Sequence, residues 1–202
     1  SWFSCATIAR CEVQTELIKW FIQMAFQSFE ILSAVKWYFE SKNLSLKNAF
    51  SLRCPLSVEN QADLRQYYSQ YFVSMLSATE LLKEVRYQNS EVFKKMLYER
   101  LTFEKFPNGK LNYCYLRELR NCIIHRGFDI SSGAHVSNEF PFLVAPPALA
   151  NQNATNSYDA FGYYLVDIIR DCERIIGQVF LDHFEEADLF VSRISQAEYE
   201  EM

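Results

Sequence analysis

The stretch from Leu111 to Gly127, LNYCYLRELRNCIIHRG, decides how the fold is interpreted. At about 100° per residue, its apolar and polar positions separate onto two sides of a helix. The apolar side carries Tyr115, Leu116, Leu119, Cys122 and Ile123. The opposite side carries Arg117, Glu118, Arg120, Asn121 and His125. Because Gly127 stands where a C-terminal cap belongs, we predict a helix from Leu111 to about Arg126.

Apolar residues recur at three- and four-residue steps on both sides of this segment, and they predict four further helices. These run from about Ala6 to Phe39, from Val58 to Arg86, onward from Ser90, and from Tyr158 to Phe184. Ser57 and Asn89 are the candidate N-caps of the second and third helices. Residues 41–55, which end in Pro55, are predicted to connect the first helix to the second. Phe106–Gly109 is predicted as a turn in which Asn-Gly accommodates positive φ.

Residues 128–157 form the least regular stretch, with Gly133, three prolines and a run of asparagines. Val136–Val144 is the candidate for a short extended piece within it. Residues 185–202 read as an acidic tail that frays. The fold class predicted is therefore all-α, an antiparallel bundle of about five helices with an irregular segment before the last helix. We expect residues 1–202 to form a single helical domain.

Composition excludes several classes of protein. Half of the 202 residues are apolar and 16% are aromatic, so the chain can bury a core. Five glycines and five prolines are too few for a typical sandwich or barrel. A net charge of −5 argues against a basic nucleic-acid binder as a whole. Residues 83–126, however, hold ten Lys or Arg against five acids, which makes this segment a candidate footprint for RNA.

The cysteines and histidines argue against a structural metal site. Six cysteines contain no C-x-x-C pair, and only three histidines accompany them. We expect no cofactor and no metal, and we interpret the cysteines as free thiols of a cytoplasmic protein. The most apolar stretch, Leu17–Phe39, is interrupted by charged and amide residues at roughly helical spacing, so no membrane association is expected.

Three polar residues of the Leu111–Arg126 helix could carry chemistry together. The imidazole of His125 can exchange a proton with a ribose 2′-OH or a leaving oxygen near neutral pH. The guanidinium of Arg120 can hold a phosphate and stabilise charge in the transition state. Asn121 can orient the imidazole or bond to phosphate. This set suffices for RNA transesterification without a metal. The alternative is that His125 and Arg126 only complement the helix dipole.

The string Arg120, Asn121, Cys122-Ile123-Ile124, His125 resembles the signature of the HEPN superfamily (higher eukaryotes and prokaryotes nucleotide-binding). That signature is an Arg, a polar residue, apolar residues and then a His. The helical architecture, with the motif late in the chain and one long helix after it, is also similar. The resemblance covers about eight residues and this general architecture.

The resemblance implies an all-α bundle that forms a homodimer and acts as a metal-independent endoribonuclease of a toxin or antiviral-defence type. Arg120, Asn121 and His125 would be catalytic, in a composite cleft formed by two protomers. Arg117, Arg126 and Glu118 are candidate substrate-binding residues. Arg126 could equally have an interface or structural role, and Glu118 could tune His125 or pair with a neighbouring arginine. An antitoxin or regulatory protein is a further candidate partner. Two rival interpretations stay open. One is a non-catalytic module that binds a partner or nucleotide, and the other is a ligand-binding bundle with Val136–Ala150 as a lid over an enclosed apolar pocket.

Four other residues could contribute chemistry but are better explained otherwise. Tyr113 and Tyr115 could stack on bases, although aromatic residues at this spacing are more often part of a core. We expect His135 and His183 to be surface residues without a catalytic role.

Overall fold

The computed structural model describes residues 30–84 and 87–187. The chain divides into two compact units, Ser1–Trp37 and Tyr38–Met202. The contacts between elements described below are those of the second unit. Most of the helix predicted from Ala6 to Phe39 and most of the tail predicted at 185–202 lie outside the described residues. The expectation of a single domain stays a prediction.

Five helices account for most of the described chain, and four short strands interrupt them. The helices are α1 (residues 30–51), α2 (Val58–Lys83), α3 (Ser90–Arg100), α4 (Gly109–His125) and α5 (Leu165–Glu186). The strands are β1 (Ala134–Ser137), β2 (Phe140–Leu143), β3 (Ala148–Ala150) and β4 (Ser157–Asp159). No helix of the described chain is long and apolar enough to cross a membrane.

The all-α prediction is corrected by two antiparallel hairpins in the segment predicted to be irregular. β1 pairs with β2, with Ala134 opposite Leu143. The turn between them places Asn138 and Glu139 at φ 49° and 62°, as a two-residue type I′ hairpin turn requires. β3 pairs with β4, with Ala148 opposite Asp159. The extended piece predicted at Val136–Val144 overlaps both strands of the first hairpin. Sequence periodicity missed β3 and β4, because three-residue strands are too short to show an alternating pattern.

The helices pack around a core rich in aromatic residues. α2 contacts α3 and α4, and α3 contacts α4 and α5. Side chains at the centre of the core are fully buried: Tyr68, Tyr71, Phe72, Phe93, Leu97, Tyr113, Leu116 and Ile168. Burial of these large side chains is the main favourable contribution to folding. The prediction that Tyr113 and Tyr115 belong to the core is confirmed.

Helix α1 continues through most of the segment predicted as a connection. Its residues 41–51 are helical, and only residues 52–57 join it to α2. Lys42 donates a hydrogen bond to Glu173 Oε2 at 2.6 Å, and the ring of Phe39 meets Phe180 edge to face. These contacts with α5 stabilise the end of the helix, although the local sequence is rich in polar residues.

Helix α4, which carries the motif, is fixed at both ends. Asn108 caps its start, with Oδ1 accepting from the backbone N–H of Leu111 at 3.1 Å. Gly127 follows the last turn with φ 65°, and the N–H of Phe128 donates to the carbonyl of Cys122 at 3.0 Å. The predicted C-terminal glycine is confirmed. The positive φ expected at Asn108-Gly109 is wrong, because Asn108 has φ −101° and Gly109 begins the helix.

Candidate active site

A polar cleft lies between the C-terminal half of α4 and the loop that joins β3 to β4. Its volume is about 790 Å³, within the range of ligand pockets, and it is open to solvent. It is lined by Arg117, Glu118, Asn121, His125, Arg126, Asn151, Gln152 and Asn153. Five of the six predicted site residues therefore share one cleft, and the sixth, Arg120, is not part of its lining. The cleft differs from the enclosed apolar pocket that a ligand-binding bundle would require.

His125 is the last residue of α4, and its imidazole is exposed. Within residues 30–84 and 87–187, no hydrogen bond or ion pair engages its ring. Both ring nitrogens are therefore available to a ligand in the cleft. This is the condition for proton transfer to or from a bound substrate.

Glu118 lies at the floor of the cleft, with only 5% of its side chain exposed. Arg126 Nη2 donates to Glu118 Oε2 at 2.7 Å, and Asn121 Nδ2 is 3.4 Å from Oε1. Arg117 Nε lies 3.7 Å from the same oxygen. Helical periodicity placed Glu118 on the polar face and did not anticipate this burial. A buried carboxylate requires hydrogen-bond and charge partners. Glu118 therefore holds the surrounding basic and amide groups in position.

Arg126 joins α4 to the second hairpin. Besides its bond to Glu118, Nη1 donates to the carbonyl of Ala150 at 2.7 Å and lies 3.3 Å from Cys122 Sγ. A guanidinium bonded to a carboxylate and a backbone carbonyl has few donors left for phosphate. The geometry thus gives Arg126 a structural role in shaping the cleft.

Arg117 is the cleft arginine with the fewest internal contacts. About 41% of its side chain is exposed, and the 3.7 Å approach to Glu118 is too long for a hydrogen bond. Its donors are therefore available to an anion in the cleft. Nearby, the Lys83 ammonium lies 3.7 Å from the centre of the Tyr113 ring. Burial, together with the positive charge of Arg117, lowers the pKa of Lys83 to about 8.

Arg120 points to a different neighbour. Its Nη1 and Nη2 donate to the two carboxylate oxygens of Glu80 in α2, at 2.8 and 2.7 Å. The side chain is only 16% exposed, and its buried Nε has no hydrogen-bond partner among the described residues. Sequence spacing gave no sign of Glu80, because the partner lies 40 residues away on another helix.

The basic footprint predicted for residues 83–126 is largely neutralised by local ion pairs. The basic residues of this segment that pair with a carboxylate are Lys94, Lys95, Arg100, Arg117, Arg120 and Arg126. Arg86 lies outside the described residues. The count of charges therefore overstates the free positive surface. Within the cleft, the basic group with available donors is the guanidinium of Arg117.

His135 and His183 do not line the cleft. His135 is exposed, as predicted, and its Nδ1 lies 2.9 Å from the Tyr164 hydroxyl. The prediction of a surface position for His183 is wrong. The ring is fully buried beside Phe93, and its Nε2 lies 2.7 Å from the Tyr87 hydroxyl. Burial lowers the pKa of His183, so its neutral form is favoured in the fold.

Among the described residues, none of the four cysteines lines the cleft, so they give no alternative nucleophile there. Cys122 is buried, and burial raises the pKa of its thiol. Cys54, Cys114 and Cys172 are free thiols as well. In the described part of the chain, no three His, Cys, Asp or Glu side chains are grouped so as to hold a metal ion.

The loop residues Asn151, Gln152 and Asn153 were missed by sequence reasoning. By itself the run of asparagines indicates irregular structure, and nothing in the local sequence shows that a hairpin folds it over α4. Comparisons of the chain with protein-family models, curated proteins and solved structures found no match. The functional assignment therefore depends on the motif and on the geometry of this cleft.

Proposed function

We propose that this protein is a HEPN-type, metal-independent endoribonuclease of a bacterial toxin or defence system. In this proposal the helices form the family's antiparallel bundle, and the enzyme is a cytoplasmic homodimer with a composite site. An antitoxin or other regulatory protein would restrain it. The observation that carries the proposal is the imidazole of His125, which shares one open, polar cleft with Asn121 and Arg117 and has no hydrogen-bond or ion-pair partner within the described residues.

The reaction would be an internal transesterification of RNA. His125 of one protomer accepts the proton of the ribose 2′-OH, and the 2′-oxygen attacks the adjacent phosphorus. A new P–O2′ bond forms while the P–O5′ bond breaks. The imidazolium of the second protomer's equivalent histidine protonates the departing 5′-oxygen. The products are a 2′,3′-cyclic phosphate and a free 5′-hydroxyl. General acid–base catalysis of this kind contributes about 10²–10⁴-fold to a rate.

The cleft offers groups for the charge that develops on phosphorus. Arg117 has donors available for a phosphate oxygen, and Asn121 can orient either the phosphate or the imidazole. Arg120 already has two of its donors on Glu80. We therefore assign the first phosphate contact to Arg117. Arg120 joins the site only if a phosphate draws it away from Glu80.

The Arg120–Glu80 ion pair favours a second candidate function, a non-catalytic helical module for dimerisation or for binding a partner or nucleotide. In such a module, Arg120 would serve to hold α4 against α2. The nuclease requires His125 for proton transfer, whereas the module does not. The Arg120–Glu80 ion pair does not involve His125.

Incubation of the purified chain with labelled single-stranded RNA in excess EDTA tests the proposal. We expect cleavage that leaves 2′,3′-cyclic phosphate ends, with the protein sedimenting as a dimer. A folded dimer that leaves a panel of RNAs intact, with or without divalent cations, would favour the non-catalytic module. Cleavage by a monomer would contradict the composite site.

A further inference from the structure

The loop between β3 and β4 forms the wall of the cleft that faces α4, and Asn151 sets its shape. Asn151 Oδ1 accepts from the backbone N–H groups of Thr155 and Asn156, at 2.9 and 3.2 Å. Its Nδ2 donates to Thr155 Oγ1 at 2.8 Å. Ala154 completes the turn with φ 52°. Because both ends of the Asn151 carboxamide make hydrogen bonds within the loop, this residue determines the conformation of the loop.

Gln152 and Asn153 stand in contrast to Asn151. Both are exposed and both line the cleft. In the part of the chain that the structure describes, no hydrogen bond involves either side chain. Each carboxamide offers two N–H donors and a carbonyl acceptor. Two unused amide groups therefore face the same cleft as His125.

The position of these two amides relative to α4 is fixed by Arg126. Its guanidinium bonds to the carbonyl of Ala150, one residue before the loop, and to Glu118 in the helix. Arg126 therefore connects the loop to α4, the helix that carries His125 and Arg117. A ligand with a phosphate at Arg117 and His125 would extend its next group toward the opposite wall.

We propose that Gln152 and Asn153 form a base-reading subsite that selects adenine beside the cleaved phosphate. The inference rests on the proposed function, since it places RNA in the same cleft. Phosphate contacts position a nucleic acid but carry no sequence information, whereas contacts to base edges do. A carboxamide pairs with adenine by accepting from N6 and donating to N7. Unpaired RNA bases are accessible for such contacts.

Binding of non-cleavable RNA measures the subsite without depending on cleavage. The probes are four fluorescein-labelled 2′-O-methyl pentamers, UUAUU, UUCUU, UUGUU and UUUUU, with affinity read by anisotropy. The 2′-O-methyl group blocks transesterification. We expect the wild-type chain to bind UUAUU about 5- to 100-fold more tightly than the other three, as one good bidentate base contact provides.

The double variant Gln152→Ala/Asn153→Ala should bind all four pentamers within about twofold of one another, since phosphate contacts alone are sequence-independent. Gln66→Ala, which removes an exposed carboxamide from α2, is the matched control and should keep the adenine preference. Equal binding of the four pentamers by the wild type, no binding of any, or a preference that survives in the double variant would overturn the inference. A preference for another base would overturn the choice of adenine.

This experiment separates the subsite from the nuclease. If the protein selects adenine in these pentamers but leaves natural RNA intact, the subsite is supported and the proposed catalysis is contradicted. If it cleaves RNA but binds the pentamers equally, the catalysis is supported and the subsite is contradicted.

Discussion

Arg120 of α4 and Glu80 of α2 form a two-point ion pair, with Nη–Oε distances of 2.8 and 2.7 Å. The planar guanidinium and the carboxylate match in geometry, and the arginine is mostly buried. The arginine of the motif is therefore also part of the contact between two helices. A loss of activity on substitution of Arg120 would combine effects on catalysis with effects on stability.

A double-mutant cycle should detect this pair in stability. With Glu80→Ala, Arg120→Ala and the double variant, we expect a coupling energy of about 1–3 kcal/mol from urea unfolding. Lys95 and Glu99, whose charged atoms are 3.9 Å apart on the surface, supply the control cycle. Their coupling should stay below about 0.5 kcal/mol. Equal coupling in the two cycles would mean that the Arg120–Glu80 contact adds nothing beyond a surface pair.

Arg126 should matter more for the fold than an ordinary surface arginine. Arg126→Ala removes the main partner of the buried Glu118 carboxylate and the bond to Ala150. We expect a loss of about 1–3 kcal/mol in the free energy of unfolding, because a buried charge is left without its counter-ion. Arg174 is an exposed arginine 3.5 Å from Asp171, and Arg170 lies 3.8 Å from the same carboxylate. Arg174→Ala should therefore change stability by less than about 0.5 kcal/mol. Similar losses for the two variants would refute this role.

The two helical glycines Gly109 and Gly177 should respond to alanine in opposite directions. A Cβ at Gly109 would lie 2.0 Å from the carbonyl oxygen of Tyr98, and backbone atoms cannot yield as a side-chain end can. We expect Gly109→Ala to destabilise by several kcal/mol, beyond the common range of about 0.5–3 kcal/mol. A Cβ at Gly177 meets nothing within 4 Å. Gly177→Ala should stabilise by up to about 1 kcal/mol. Thermal unfolding of both variants measures these opposite changes in stability. A Gly109→Ala protein as stable as the wild type would contradict the prediction.

Stability should fall as the pH drops through the ordinary range of histidine titration. Burial lowers the pKa of His183 in the fold, so the unfolded chain binds its proton at a higher pH than the folded chain does. The contribution of His183 is thus complete above about pH 6.5 and decreases below that value. Urea midpoints at pH 7 and pH 5.5 measure it, below the range in which Lys83 titrates. Asp129 and Asp182 do not interfere, because hydrogen bonds lower the pKa of both carboxyl groups from their ordinary values.

His183→Gln is the matched variant for this pH dependence. Glutamine can keep a hydrogen bond with the Tyr87 hydroxyl but does not titrate. The difference between the two urea midpoints should therefore shrink in His183→Gln. An unchanged difference would place the acid sensitivity on another group.

Much of the helical framework could be predicted from the sequence, because long helices with regular apolar spacing carry a strong signal. α2 and α4 begin and end within a few residues of their predicted limits, and Ser57 is an N-cap as expected, accepting from the N–H of Asn60. The wrong predictions have two causes. Residues 41–51 are helical because of contacts with a distant helix, and the strands of the second hairpin are too short to predict from periodicity.

The candidate site was predicted in composition but not in arrangement. Spacing on one helix brought Arg117, Asn121 and His125 to a common region, and the cleft contains all three. Spacing could not show that Glu80 binds Arg120, that Glu118 is buried, or that Gln152 and Asn153 face α4. The contact of Arg120 with Glu80 spans 40 residues of sequence, and the contact that joins α4 to the second hairpin spans 24, so both depend on tertiary structure.

Cleavage of RNA by His125→Ala tests the central claim most directly, because the imidazole is exposed and no contact within the described chain depends on it. We expect wild-type protein to cleave labelled single-stranded RNA in EDTA, and His125→Ala to be at least about 100-fold slower. Its stability should stay within about 0.5 kcal/mol of the wild type. His135→Ala, which removes another exposed imidazole, should cleave at the wild-type rate. Equal cleavage by wild type and His125→Ala would contradict the account.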